Sequence, residues 1–395
     1  MRTTAMRSLK VLVVTGIGAM GVVSAASVSV ADSSSTPTFQ ASQILKGSSL
    51  QHSYTPAGSS TSTSEALSKP DDITQLGDNL FVAFQNGVGP QGEASTDGNL
   101  DSTIVELSQG GVVLGQWDVI GKVDGMTADP ALNGVLATVN EDLNSSMYLV
   151  RPSDGSNAVT HYTYSAALPH NGGTDAISIY DGRNLTSASA PGTTGAASPN
   201  ASYPAVYSVQ LDPGTKIAVA TPYFYDEATA TVANGTGKHG GDTKSTQLAL
   251  TDPDSTSVVP SGASRFAGDF MLTSQGDQQQ IFVAHANSNH PRLTVLNLSQ
   301  SIDDTAWPTR RSAMLFSTDS TNNAVDVVTG TFESNQPIVV ATPCGANTAP
   351  ATCPASPANY LATLNPRTGA VTPVTVSGAP YVPQGGLAFV SGNNN

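Results

Sequence analysis

The chain has 395 residues, of which only 12% are charged; 37 are Gly and 25 are Pro. Few Lys, Glu and Arg argue against long exposed helices, and many turn-forming residues argue for short extended elements. All-β rings fill such a length as one domain, and a formal charge of −14 repels nucleic acid and anionic lipid.

The first segment, "MRTTAMRSLK", is basic and runs into the apolar "VLVVTGIGAMGVV" (11–23) and the small residues "SAASVSVADSS". That order predicts a secretory signal peptide over residues 1–31, cut after Ala31 or else Ala26. The apolar run is too short to span a bilayer comfortably, and "GIGAMG" inside it has no cofactor meaning. Losing Arg2, Arg7 and Lys10 leaves 13 basic residues against 30 acids, a mature charge of −17. The mature product is expected to be exported, without a membrane span, and monomeric.

Residues 32–68 are rich in Ser and Thr, with two strand-like pieces at 39–45 and 50–55 and the flexible tract "PAGSSTSTSEALS". From residue 69 a theme repeats to residue 395. Its units include "DDITQLGDNLFVAF" with "STIVELS" and "VLGQWDVIG", then "DGMTADPALNGVLATVNE" with "SSMYLVRPS" and "NAVTHYTYS". Later come "GGTDAISIYDGRNLTSAS", "AGDFMLTSQGDQQQIFVAHA", "DDTAWPTRRSAMLFSTDS" and "PIVVATP" with "NYLATLNP". Each run is short, β-rich and bounded by Gly, Asp, Asn or Pro, and no stretch sustains a helical period with caps. Four-strand groups recurring about every 50 residues predict an all-β propeller of four-stranded blades.

Aspartates check the register. Asp72, Asp124 and Asp175 are 52 and 51 residues apart; Asp269 follows after 94 and Asp304 after 35. The closing "PQGGLAFV" (383–390) is expected beside strands 39–55 in one shared blade, giving seven blades, or six if 39–55 only pads an edge. In a propeller the innermost strand of each blade starts near one mouth of the channel. Short acidic residues there accept backbone N–H groups and hold the turn.

These DD-I, DG-M and TD-A starts and the closing "PQGGLAFV" resemble secreted bacterial β-propellers of the lactonase-like, SMP-30-like and YVTN-repeat kind. The resemblance covers about residues 70–395 and implies fold more than chemistry. It implies that carboxylates at the channel, with Asp71 and Asp303 beside Asp72, Asp124, Asp175, Asp269 and Asp304, could hold Ca²⁺ or Mg²⁺, ions that favour oxygen ligands.

Other candidates come from the residues themselves. "VNEDLNSSMY" offers Asn140 and Glu141 as oxygen donors, or an Asx-rich turn. "ALPHNGGTDAI" places His170 near Asp175, where it could act as a general base, or stand solvated in a loop. Cys344 and Cys353, the only cysteines, read as a disulfide closing a short loop, worth about 2–3 kcal/mol in the chain-entropy model. No nucleophile elbow, phosphate loop, HExxH or CxxC occurs. The leading expectation is an exported scaffold that binds an extracellular protein, glycan or small molecule at its rim or channel mouth. The alternative is a metal-dependent lactonase-like hydrolase or lyase acting in the channel. A quinoprotein-like redox propeller would need stacking aromatics, and aromatic residues are only 6%.

Overall fold

Between residues 38 and 390 the strands fall into six four-stranded groups around one axis. The computed structural model describes residues 38–169, 172–189, 200–234, 244–288, 290–345 and 358–390. The predicted signal peptide, His170 and Cys353 lie outside these residues. The described chain includes the 3-10 turns Gly47–Ser49 and Pro152–Asn157. No helix among the described residues is long and apolar enough to cross a membrane.

Blade 1 runs outward from the channel as Pro70–Leu76, Asn79–Phe84, Asp101–Ser108 and Val113–Ile120. Blade 2 is Val123–Asp129, Gly134–Val139, Ser146–Val150 and Val159–Tyr164. Blade 3 is Ile177–Tyr180, Arg183–Ser187, Pro204–Asp212 and Ile217–Tyr225. The outer strands of blades 2 and 3 touch in parallel at Thr163 with Ile217, merging them into one eight-stranded sheet. Blade 4 is Pro253–Val258, Phe270–Ser274, Gln279–Ala284 and Arg292–Asn297, with Thr229–Val232 and Lys244–Gln247 added at its outer edge.

Blades 5 and 6 are interleaved. Blade 5 begins with Ile302–Ala306; the chain then leaves it to lay down Met314–Asp319 and Ala324–Thr329 as the middle of blade 6. It returns for Ile338–Ala341, Tyr360–Leu364 and Val371–Pro373 of blade 5. Blade 6 is completed on the inside by Leu387–Val390 and on the outside by Thr38–Lys46, with Thr375–Gly378 parallel beyond it. The innermost strands meet neighbour to neighbour, and that of blade 6 meets that of blade 1, so the ring closes.

The count among the described strands is therefore six, the lower of the two expected. The expectation of seven treated the 314–329 hairpin and the C-terminal strand as separate blades; they are one. The shared blade also takes only Thr38–Lys46, because Gln51–Tyr54 pairs instead with Thr63–Ala66.

Six hydrophobic clusters fill the six gaps between blades. Side chains alternate across a strand, so a middle strand serves both neighbours. In blade 1, Leu80, Val82 and Phe84 pack toward blade 6, while Phe81 and Ala83 pack toward blade 2. In blade 4, Phe270 and Leu272 face blade 3, while Met271 and Phe282 face blade 5. This two-sided burial is why runs such as "NLFVAF" and "PIVVA" read as continuously apolar.

Candidate functional site: an acidic channel mouth

The innermost strands deliver their acids through backbone irregularities. In blade 1 the ladder slips between Pro70 and Ile73, which brackets Asp71 and Asp72. It slips between Val123 and Gly125 around Asp124, between Pro253 and Thr256 around Asp254, and between Ile302 and Thr305 around Asp303 and Asp304. A β-bulge re-aims the side chain it carries. Here four bulges turn carboxylates toward one cavity instead of into the gaps between blades. Asp175 enters the same cavity just ahead of blade 3.

The cavity has a volume of about 690 Å³ and is lined by all six innermost strands. Its wall carries eight carboxylates, those of Asp71, Asp72, Asp124, Glu141, Asp175, Asp254, Asp303 and Asp304, and one cation, Lys122. The Lys122 ammonium lies 2.5 Å from Asp124 Oδ1 and also pairs with Glu141. Burial works against its charge, but Asp124, Glu141 and Asp71 together hold its pKa above the ordinary lysine value.

The carboxylates divide into two kinds. Asp72 Oδ1 accepts the N–H of Ile73 at 2.6 Å, and its Oδ2 accepts the N–H of Met126 in blade 2. Asp304 repeats the arrangement, accepting Thr305 N–H at 2.6 Å and Leu387 N–H of blade 6 at 2.6 Å. These two latch neighbouring blades. Asp71 and Asp303, one residue earlier in each pair, line the cavity beside them.

Burial pushes Asp71 up to about 7, with Asp303 and Glu141 adding to it and Lys122 opposing. Burial and the charge of Asp304 push Asp303 up to about 7, opposed by the Gly385 N–H, 3.3 Å from its Oδ2. Asp254 and Asp175 are raised too, first by burial and then by neighbouring acids. Asp124 Oδ2 and Asp254 Oδ2 are buried and have no hydrogen-bond partner.

Backbone carbonyls of the same acids are held from the second strands. Thr138 donates to Asp175 O, Ser187 to Asp254 O at 2.5 Å, and Thr318 to Asp71 O. Blade 6 supplies glycines in place of an acid. A Cβ on Gly386 would lie 2.5 Å from Ile73 N, so only glycine lets this strand approach blade 1.

Of the residues singled out in the sequence, Asp72, Asp124, Asp175, Asp304 and Glu141 meet in this cavity, together with Asp71 and Asp303. Asp269 does not. It precedes the second strand of blade 4, outside the cavity wall, with His285 and Arg292 for neighbours. Asn140 is also outside the wall; it sits at φ 63° and closes a turn, accepting Lys122 N–H at 2.9 Å and donating to Asn144 O at 3.1 Å. Among the described residues no group of three or more His, Cys, Asp or Glu is placed to hold a metal ion. Cys344 stands in the turn after Ile338–Ala341.

Sequence reasoning missed Asp254 and Lys122. Asp254 lies 50 residues before Asp304, the blade interval, in "QLALTDPDSTSVVP". Taking Asp269 as the register mark hid it. Lys122 carried no signal except its place two residues before Asp124.

No family model and no curated protein matches the chain in sequence. Among solved structures it is similar to a periplasmic gluconolactonase of Pseudomonas aeruginosa, with 13% identity, a TM-score of 0.44, and 89% of this chain and 99% of that one covered. It is also similar to the hydrazine synthase of Kuenenia stuttgartiensis, with 13% identity, a TM-score of 0.39, and 75% and 66% covered. A third is an auxiliary nutrient binding protein of Bacteroides thetaiotaomicron, with 11% identity, a TM-score of 0.38, and 67% and 60% covered. In the last two the chain spans less than two thirds of the neighbour's own length. No residue role is carried over from any of them.

Proposed function

We propose that the protein is an exported ligand-binding propeller whose channel mouth takes up a positively charged ligand. One observation carries this reading: among the described residues, eight acidic ones line a single cavity of about 690 Å³ with one lysine, Lys122, beside them. Like charges so gathered raise one another's pKa, and a bound cation relieves both the repulsion and the unmet oxygens. Export over residues 1–31 and a Cys344–Cys353 disulfide belong to the same reading. A channel metal is the second form of it. The donor set is all oxygen, which suits Ca²⁺, yet the described acids do not converge as a chelate requires. No catalytic step is therefore assigned, and lactonase-like hydrolysis stays the alternative, supported by Asp303, whose carboxyl, raised to about 7 by burial and the charge of Asp304, can carry a proton near neutral pH.

The test uses protein recovered from an exporting host. Its intact mass should lack residues 1–31 and show both thiols oxidised. Titration calorimetry at pH 7.5 with ethylenediamine dihydrochloride, and separately with CaCl₂, should give saturable binding to at least one. The double variant Asp254→Asn/Asp303→Asn should weaken that binding about tenfold. Silence with both probes, or binding equal in the variant, rejects the reading.

A further inference from the structure

We infer that the channel's ligand is a small aminated polyol, chemically an amino sugar, rather than a bare metal ion; this rests on the cationic-ligand reading above. The acids lie on four of the six innermost strands, with Asp175 just ahead of a fifth and Glu141 after a second strand, and no three of the described ones gather about one point. A cavity of about 690 Å³ is in the range that encloses a drug-sized organic molecule, not a single ion.

The unmet groups say which atoms the ligand presents. Asp124 and Asp254 both line the cavity; the Asp124 side chain is 5% exposed, and Oδ2 of each is buried without a partner. Both sites call for hydrogen-bond donors, and their charge favours cationic ones. Two such oxygens on blades 2 and 4 cannot be met by Lys122, which is already committed to Asp124 Oδ1 and Glu141.

Along the same strands the wall changes character. Past the carboxylates the lining includes hydroxyl-bearing residues, Thr74 on blade 1, Thr127 on blade 2, Ser178 on blade 3, and Thr256 and Ser257 on blade 4, set among apolar ones such as Ile177, Ile179 and Val258. Ser178 and Thr256 hydroxyls are 3.0 Å apart, spanning neighbouring blades. Such groups both donate and accept, and they match ligand hydroxyls as carboxylates cannot. Among the described residues no Phe, Tyr or Trp lines the cavity, so a flat aromatic cation finds none of them to stack on. An amine at the acidic end with hydroxyls along the wall satisfies both zones at once.

The experiment compares four probes on the mature protein by calorimetry at pH 7.5: glucosamine, glucose, cyclohexylamine and CaCl₂. Glucosamine should bind at least about tenfold more tightly than either glucose or cyclohexylamine. Ser178→Ala and Thr256→Ala, conservative changes that leave the acids in place, should weaken glucosamine about three- to tenfold and leave cyclohexylamine unchanged. If cyclohexylamine or calcium equals glucosamine, the channel binds cations but the amino-sugar assignment is overturned. If none of the four binds, the assignment and the cationic-ligand reading fall together.

Discussion

Adjacent aspartates in "DDI" and "DDT" do different work though their chemistry is identical. The second of each pair holds two backbone N–H groups, one of them in the next blade; the first faces the cavity. Removing the second leaves buried donors unmet, at roughly 1–3 kcal/mol each, less what is recovered by no longer burying a carboxylate. Asp304→Ala should thus destabilise the fold by about 2 kcal/mol in urea unfolding. Asp303→Ala should cost less than about 1 kcal/mol, since its main backbone contact is Gly385 N–H at 3.3 Å. Equal losses would contradict the division of labour. The turn-holding role of acids at strand starts was legible in the sequence, and Asp72 and Asp304 fill it. Which member of a pair is turned into the cavity was not, because that depends on a bulge, and a bulge is set by pairing between strands rather than by local residue pattern.

At the scale of elements, the hairpin Gln51–Tyr54 with Thr63–Ala66 meets blade 1 around a buried histidine. His52 is buried, with Nδ1 3.2 Å from Asp118 Oδ1 and Nε2 3.1 Å from Glu65 Oε1. Asn99 supports Glu65 at 2.7 Å, and Thr103 supports Asp118 at 2.7 Å. Burial alone would lower the imidazole pKa, but the hydrogen bonds and charges of Asp118 and Glu65 outweigh it and raise the value. The clamp's stabilisation is full below the ordinary histidine pKa and is lost as pH rises through the raised one. Hydrogen exchange of residues 51–66 should therefore quicken between pH 6 and pH 8.5 beyond the intrinsic base-catalysed rise. In His52→Gln it should be fast at both, with a stability loss of about 2 kcal/mol. Protection unchanged in the variant would exclude the clamp. The strand at 50–55 was legible; its partner was not. Apolar alternation marks a strand but does not name its neighbour, and the Ser/Thr-rich composition around residues 63–66 reads as a flexible tract.

For the whole molecule, acids buried together set the pH response. Burial raises Asp71, Asp303 and Asp326 to about 7, and Asp252 and Asp304 to about 6. The folded state then binds protons more tightly than the unfolded chain. The stability from these groups is present below the unfolded carboxylate pKa and is lost as pH climbs through 6 and 7. His52 acts in the same direction. Scanning calorimetry should give a Tm at least about 3 °C higher at pH 5 than at pH 8, and the channel's ligand should narrow the gap. A Tm that is flat or rises with pH would refute this. Fold class was legible at this scale because six inter-blade clusters need apolar runs on both faces of every middle strand. The blade number was less so, since nothing local in "SAMLFSTDS" or "NAVDVVTG" says that the hairpin they form belongs to a neighbour's sheet.

The crossing of the chain between blades 5 and 6 has a consequence for synthesis. Blades 1 to 4 each draw their four principal strands from one continuous stretch and can form in order as the ribosome releases them. Blade 6 must hold its middle hairpin against the N-terminal strand with the innermost position vacant until residues 387–390 emerge. A stop codon before residue 387 would thus leave blade 6 without its innermost strand, and quality control would meet a ring open at one seam rather than a slightly shorter protein.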